Sequence, residues 1–323
     1  VEPLINIKNL SVDFELRTGT VQAVRDVSLV INKGERLGIV GESGAGKSVL
    51  GFSLINLISK PGRISGGEII FNGQDLAKFK YDQMRKIRGN HISMIFQDPM
   101  MTLNPVLTIG TQMKETILAH MDVSNAEAEA ICLDKLKKVY IPSPEKRLNQ
   151  YPHEFSGGMR QRIVIAISLL TSPQLIIADE PTTALDVTIQ AEIMDLLLQL
   201  CKTENMGLIL ITHDLAVVSE VTQRIAVLYA GKVAELGNTD QIISNPQHPY
   251  TQGLLQALPQ MAGGEQRLHQ IPGMMPSLRD MPQGCPFEPR CKESMAKCKT
   301  HIPVLTELES GTQVACFARQ GGK

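Results

Sequence analysis

The chain has 323 residues, with 32 Lys plus Arg against 33 Asp plus Glu and a formal net charge of −1. That balance excludes a polyelectrolyte binder of DNA or RNA, whose affinity comes from neutralising phosphates. Hydrophobic residues make up 43% and charged residues 20%, enough to bury a large core and too apolar for disorder; aromatics are only 4% with no Trp, so the expected core is aliphatic.

Up to residue 35 the pattern has a period of two. Val12, Phe14 and Leu16 alternate with Asp13, Glu15 and Arg17, and Val27, Leu29 and Ile31 alternate with Ser28, Val30 and Asn32. This predicts antiparallel strands with one buried face, joined by a turn at Thr18-Gly19-Thr20. From Arg36 the pattern changes: a buried strand Leu37-Gly38-Ile39-Val40 leads into a Gly-rich turn and an apolar helix from Val49 to Ile58, stopped by Pro61-Gly62. A strand at Ile92–Phe96, helices across 109–140, a helix after Ser156, a strand at Leu175–Ala178, a helix at 187–202 and a strand at Leu208–Ile211 follow. Strands alternating with helices predict a mostly parallel sheet covered on both faces. After residue 244 frequent prolines (Pro246, Pro249, Pro259, Pro272, Pro276, Pro282, Pro286, Pro289, Pro303) break up any long element, which predicts a small appendix in need of a staple. The longest apolar-rich stretch, Ile163 to Ala178, contains Ser168, Thr171, Ser172, Pro173 and Gln174 and falls short of the ~20 residues of a spanning helix. Val1-Glu2-Pro3-Leu4 has neither a basic nor a long apolar region, so no secretory signal is expected.

Gly41-Glu42-Ser43-Gly44-Ala45-Gly46-Lys47-Ser48 fits G-x-x-x-x-G-K-S between a predicted strand and a predicted helix. Its glycines let the backbone curl so that successive N–H groups face phosphate oxygens, and the helix that follows adds the positive end of its dipole. In this role Lys47 reaches the β- and γ-phosphates and Ser48 Oγ holds Mg²⁺. Such a loop needs an acidic partner. The apolar strand Leu175-Ile176-Ile177-Ala178 ends in Asp179-Glu180, where Asp179 supports Mg²⁺ and Glu180 polarises the attacking water as general base.

Phe155-Ser156-Gly157-Gly158-Met159-Arg160-Gln161-Arg162 opens a helix with a Ser N-cap and free N–H groups, an anion site. It resembles the LSGGQ signature of ABC-type ATPases, with Phe155 for Leu and Met159 for Gln. Further motifs occur in the family's order. Gln97 in Phe96-Gln97-Asp98-Pro99 looks like the Q-loop, Ala184-Leu185-Asp186 like the D-loop, and His213 in Ile211-Thr212-His213-Asp214 like the switch histidine. Asp98-Pro99-Met100-Met101-Thr102-Leu103-Asn104-Pro105, Asp179 through Thr188, and Pro246-Gln247-His248-Pro249-Tyr250-Thr251 resemble the peptide/nickel subfamily of ABC importers, over essentially the whole chain.

The resemblance implies an α/β P-loop core: a mostly parallel sheet, an antiparallel β subdomain and a helical subdomain at about 98–171. Residues 1–244 would form the ATPase domain and 245–323 a small Cys-rich extension. It implies an ATP-hydrolysing motor subunit of an importer of di- or oligopeptides, with nickel-chelate or other small-solute import as the alternative. In the family the cradle of one subunit (Gly41 to Ser48) faces the signature (Ser156, Gly157, Gly158) of another, so two subunits clamp two nucleotides. His213 would bond the γ-phosphate, and Gln97 would join Ser48 and Asp179 at Mg²⁺. Implied partners are a second ATPase subunit, more often a paralogue, two transmembrane permease subunits and an extracytoplasmic binding protein. Nucleic acid is not among them, and the implied location is peripheral, on the cytoplasmic face of the bacterial inner membrane. One departure stands out: residues 17–24 offer no aromatic on which adenine could stack, leaving Phe14 or Val21.

Cys285, Cys291, Cys298 and Cys316 follow C-x5-C-x6-C-x17-C, unlike the C-x2–4-C start of structural zinc sites. The subfamily resemblance implies a [4Fe–4S] cluster here, with Zn²⁺ as the alternative, and unligated thiols or disulfides after it. Cys132 and Cys201 read as plain core or half-buried thiols. A soluble ABC ATPase acting on DNA or ribosomes is a different class; the interval from Lys47 to Ser156 carries no sustained heptads and the chain only one ATPase module, which disfavours it. A third reading, a redox-sensing iron–sulfur protein, would need activity to track cluster oxidation.

Overall fold

The computed structural model describes residues 2–183, 185–258 and 270–320. The chain divides into two units. The first comprises Val1–Ile31, Arg36–Lys78 and Leu210–Lys323, and the second Asn32–Glu35 and Phe79–Ile209.

The first unit opens with β1 (Ile5–Leu16) antiparallel to β2 (Gly19–Ile31), Ile5 opposite Ile31 and Leu16 opposite Gly19. Val27, Leu29 and Ile31 are buried and Val30 exposed, as their alternation requires. In β1 the register slips between Ile7 and Leu10, Leu10 and Val12, and Val12 and Asp13. Each slip rephases the strand, so Asp13 turns inward at 9% exposure while Phe14 and Leu16 are only half-buried, against the simple alternation. Next come β3 (Arg36–Val40), buried along nearly its whole length, and α1 (Lys47–Leu54). The helix ends before Pro61 because Asn56 adopts φ +50, a left-handed conformation that Asn tolerates. The strands β4 (Gly62–Phe71) and β5 (Gln74–Asp75) complete a sheet of order β2-β1-β4-β5.

The second unit contains α2 (Tyr81–Ile87), β6 (Ile92–Ile95), α3 (Pro99–Thr102), α4 (Ile109–Leu118), α5 (Asn125–Lys138), α6 (Pro144–Arg147), α7 (Gly157–Ser168), β7 (Leu175–Asp179) and α8 (Val187–Thr203). The strand β8 (Gly207–Thr212) leads back into the first unit. β6 and β7 run parallel, Ile92 opposite Leu175, and β7 is buried at every residue, as a strand covered on both faces must be. The start of α5 is fixed by a capping box: Ser124 Oγ accepts the Glu127 N–H and the Glu127 carboxylate accepts the Ser124 N–H. Cys132 on α5 and Cys201 on α8 are both buried.

Back in the first unit lie α9 (Leu215–Val221), β9 (Arg224–Tyr229), β10 (Lys232–Asn238), α10 (Thr239–Ser244), α11 (Pro249–Gln256), α12 (Ala296–Thr300), β11 (Thr306–Glu307) and β12 (Gln313–Val314). β3 runs parallel to β9, whereas β10 and β12 add antiparallel edges in the order β11-β12-β10-β9-β3. The region after residue 244 is held by more than this edge. Glu235 on β10, fully buried, accepts the N–H groups of Gln247 at 2.7 Å and His248 at 2.9 Å. Tyr229, Tyr250 and Phe287 form an aromatic cluster with ring centroids 4.6 to 5.4 Å apart at this seam. Among the described residues no helix is long and apolar enough to cross a membrane.

Candidate nucleotide-binding and signature sites

In the first unit β3 ends at the phosphate-binding loop and α1 begins at Lys47, with Gly46 as its N-cap at φ +96. The loop is pressed onto its surroundings. A Cβ on Gly46 would stand 2.4 Å from the Ala23 carbonyl oxygen, and one on Gly41 2.3 Å from that of Leu228. Only glycine fits at either position. Lys47 is buried, and its Nζ donates to the carbonyls of Gly41 at 2.8 Å and Glu42 at 3.1 Å, which poises an ammonium inside the curl of the loop. Ser43 and Gly44 are exposed, Ala45 is buried, and Ser48 is half-buried in the first turn of α1. His213 lies exposed just beyond β8, where Asp214 caps α9 by accepting the Ala216 N–H at 2.8 Å and the Val217 N–H at 3.4 Å.

In the second unit Asp179 closes β7, 4% exposed, and Glu180 follows it in a left-handed conformation at φ +45. The structure brings Gln97 to Glu180. Gln97 Nε2 donates to Glu180 Oε2 at 3.0 Å, and Thr183 Oγ1 donates to the same oxygen at 3.1 Å. Asp98 starts α3 by accepting the Met100 N–H at 2.7 Å. Ser156 caps α7, accepting the Met159 N–H at 3.4 Å, and both Ser156 and Gly157 are exposed. Gly158 is held to glycine by packing: a Cβ there would stand 2.8 Å from Ile189 Cγ2 on α8. Phe155, where the family has Leu, is buried under the Arg147 guanidinium at 5.7 Å. Of the Ala184-Leu185-Asp186 motif, Ala184 lies outside the described residues, as does Pro259 of the C-terminal prolines.

The chemistry of these donors fits a metal-bound nucleotide. Ser48 in the first unit, and Gln97 and Asp179 in the second, each carry a side-chain oxygen, the ligand class that Mg²⁺ takes.

The family model described as ABC transporter matches residues 24–183, and the model described as oligopeptide/dipeptide transporter, C-terminal region, matches residues 234–298. Across 313 residues the chain is 46% identical to the dipeptide transport ATP-binding protein DppD of Escherichia coli (strain K12), covering 97% of this chain and 96% of that one. It belongs to the ABC transporter ATP-binding proteins. The oligopeptide transport ATP-binding protein OppD of the same strain is also 46% identical, over 98% of this chain and 93% of its own. Among solved structures, an ATP-binding cassette in a dimeric post-hydrolysis state bound to ADP and Pi superposes with a TM-score of 0.65 at 28% identity, covering 73% of this chain and 98% of that one. The α/β ABC ATPase fold expected from the sequence is the fold found.

The four C-terminal cysteines require a correction. Among the described residues no group of three or more His, Cys, Asp or Glu is placed to hold a metal ion, so the iron–sulfur cluster expected at Cys285, Cys291, Cys298 and Cys316, and the zinc alternative, are withdrawn. Burial pushes the Cys285 thiol up to about 11 and raises those of Cys291 and Cys316 as well. The sequence-level reason for a staple was a weak core, and the region finds its core elsewhere, in the Tyr229–Tyr250–Phe287 cluster and the buried Glu235.

Sequence reasoning also missed two residues at the phosphate-binding loop. Arg290 pairs with both carboxylate oxygens of Glu42, at 2.7 and 2.9 Å, and Tyr250 Oη accepts the Glu42 N–H at 2.8 Å. The only signal for either was the His-Pro-Tyr stretch, to which no role was attached.

Proposed function

We propose that this chain is the ATP-hydrolysing motor of a membrane importer of dipeptides or oligopeptides. Similarity at 46% identity, along nearly the full length, to proteins named for dipeptide and oligopeptide transport carries the reading. The chain is an ABC ATPase, and such a protein uses ATP with Mg²⁺ and works with membrane permease partners. In the reading of its parts, residues 1–244 are the nucleotide-binding domain with a helical subdomain at about 98–171, and 245–323 are the extension.

Each role follows from residue chemistry. The N–H groups of Gly41 to Ser48 and the Lys47 ammonium bind the β- and γ-phosphates. Mg²⁺, when bound with ATP, offsets phosphate charge, and Ser48, Asp179 and Gln97 are the residues to hold it. Glu180 takes a proton from the attacking water, and the hydrogen bonds from Gln97 and Thr183 orient its carboxylate. His213 donates to the γ-phosphate. Ser156, Gly157 and Gly158 present the α7 N-terminus to the γ-phosphate held by a second ATPase subunit, which we take to be a paralogue. The exposure of Ser156 and Gly157, and the dimeric state of the related cassette bound to ADP and Pi, support that pairing. ATP then closes the pair, and loss of the γ-phosphate reopens it. Two permease subunits and an extracytoplasmic binding protein complete the importer, with this chain peripheral on the cytoplasmic face.

Uptake of labelled dipeptides by cells carrying Glu180→Gln in place of the native chain tests the cargo. The reading predicts loss of peptide uptake. Intact peptide uptake with loss of nickel-chelate uptake would overturn it.

A further inference from the structure

Glu42 puts a carboxylate into a loop built to attract anions, and each of its polar groups is engaged. Its carbonyl accepts Lys47 Nζ–H and the Ala45 N–H, both at 3.1 Å. Its N–H donates to Tyr250 Oη at 2.8 Å. Its two carboxylate oxygens accept from Arg290 Nη1 at 2.7 Å and Nη2 at 2.9 Å. Both side chains that reach in, Tyr250 and Arg290, come from the C-terminal region that the oligopeptide/dipeptide family model matches. Arg290 is itself fixed from several sides. Its Nε donates to the Pro272 carbonyl at 3.0 Å, Nη1 also donates to Tyr229 Oη at 3.3 Å, and the guanidinium lies 5.9 and 6.0 Å from the ring centroids of Tyr229 and Phe287. The same region reaches the loop once more, because a Cβ on Gly44 would stand 3.3 Å from Met275 Cε.

We propose that Arg290 is a positioning residue for the phosphate-binding loop: its bidentate grip neutralises Glu42 and turns that carboxylate aside, so that ATP binding by this subunit depends on its C-terminal region. Left unpaired, Glu42 would do two kinds of harm. Its charge would repel the phosphates of a bound nucleotide, and its oxygens would compete with them for the Lys47 ammonium. A planar fork is required, because a lysine offers one point charge where Glu42 presents two oxygens. The Tyr250 hydroxyl holds the amide of the same residue, so the peptide and the carboxylate are fixed together. The inference rests on the reading of this loop as the ATP site.

Calorimetric titration of the full chain with Mg-ATP tests it, together with KM and kcat for ATP in the membrane complex. Arg290→Met is expected to weaken ATP binding about tenfold, raising KM while kcat stays within about twofold. Arg290→Lys should recover only part of the loss. Glu42→Gln combined with Arg290→Met should bind ATP at least about fivefold more tightly than Arg290→Met alone, since no carboxylate is left to neutralise; a purely structural clamp gives no such rescue. Should Arg290→Met not fold, Arg290→Lys with and without Glu42→Gln makes the same comparison. A folded Arg290→Met chain with native ATP affinity, or a double variant no tighter than the single, overturns the proposal. A native chain that bound no Mg-ATP would overturn the nucleotide reading itself, and this inference with it.

Discussion

Gln97 and Thr183 both donate to one carboxylate oxygen of Glu180, whose backbone stands at φ +45, so the side chain is aimed by its neighbours. A general base needs that kind of orientation more than it needs raw basicity. In the proposed mechanism Glu180→Gln keeps the shape and the phosphate contacts but cannot accept the water proton. ATP binding is expected to persist while hydrolysis falls by about 10²-fold or more, measured as phosphate release against nucleotide retention. Native hydrolysis in this variant would remove Glu180 from the role. The loop glycines allow an equally sharp test. Gly46→Ala must place a Cβ 2.4 Å from the Ala23 carbonyl at φ +96, so the loop has to move. Loss of nucleotide binding with a stability cost of about 2 kcal/mol is expected, read by calorimetry and thermal unfolding.

At the level of elements, α11 shows how a short helix is fixed by chemistry that a pattern does not display. His248 Nδ1 accepts the Tyr250 N–H at 3.0 Å and so caps the helix. Burial lowers the imidazole from its ordinary 6.5 to about 4, so the folded chain keeps it neutral while the unfolded chain protonates it. Unfolding therefore takes up a proton between those values. The His248 contribution is full above about pH 6.5 and is lost as the pH falls toward 4, by about 3 kcal/mol. Glu235 beside it, raised by burial, runs the opposite way, and its contribution cancels in the difference between native chain and variant. His248→Asn keeps an acceptor that does not titrate in this range. The difference in unfolding free energy between the two proteins should change by about 2.5 kcal/mol between pH 7 and pH 4.5, and a constant difference would contradict the assignment. Elements of this kind also mark how far the sequence could be read. The phosphate-binding loop, the Asp179-Glu180 strand end and the α7 cap are contiguous in the chain, so spacing alone exposed them. The slips in β1 were hidden, because a bulge shifts register without any residue type announcing it. Arg290 and Glu42 lie 248 positions apart, and no local pattern joins them. The four cysteines misled for a related reason: the family resemblance implied a ligand set, and among the described residues no such group is placed to hold a metal ion.

On the scale of the molecule, the chain carries one phosphate-binding loop and one signature helix, and in the proposed mechanism these serve different nucleotides. Its turnover must then depend on what it meets. Phosphate release per chain, measured over serial dilution of the isolated protein and again in the complex purified from membranes, tests this most directly. Turnover of the isolated chain should fall as it is diluted and should stand at least about 100-fold below that of the complex, since the γ-phosphate contacts supplied by a neighbour are missing. Full turnover that is independent of dilution, from chains shown to be single in solution, would contradict it.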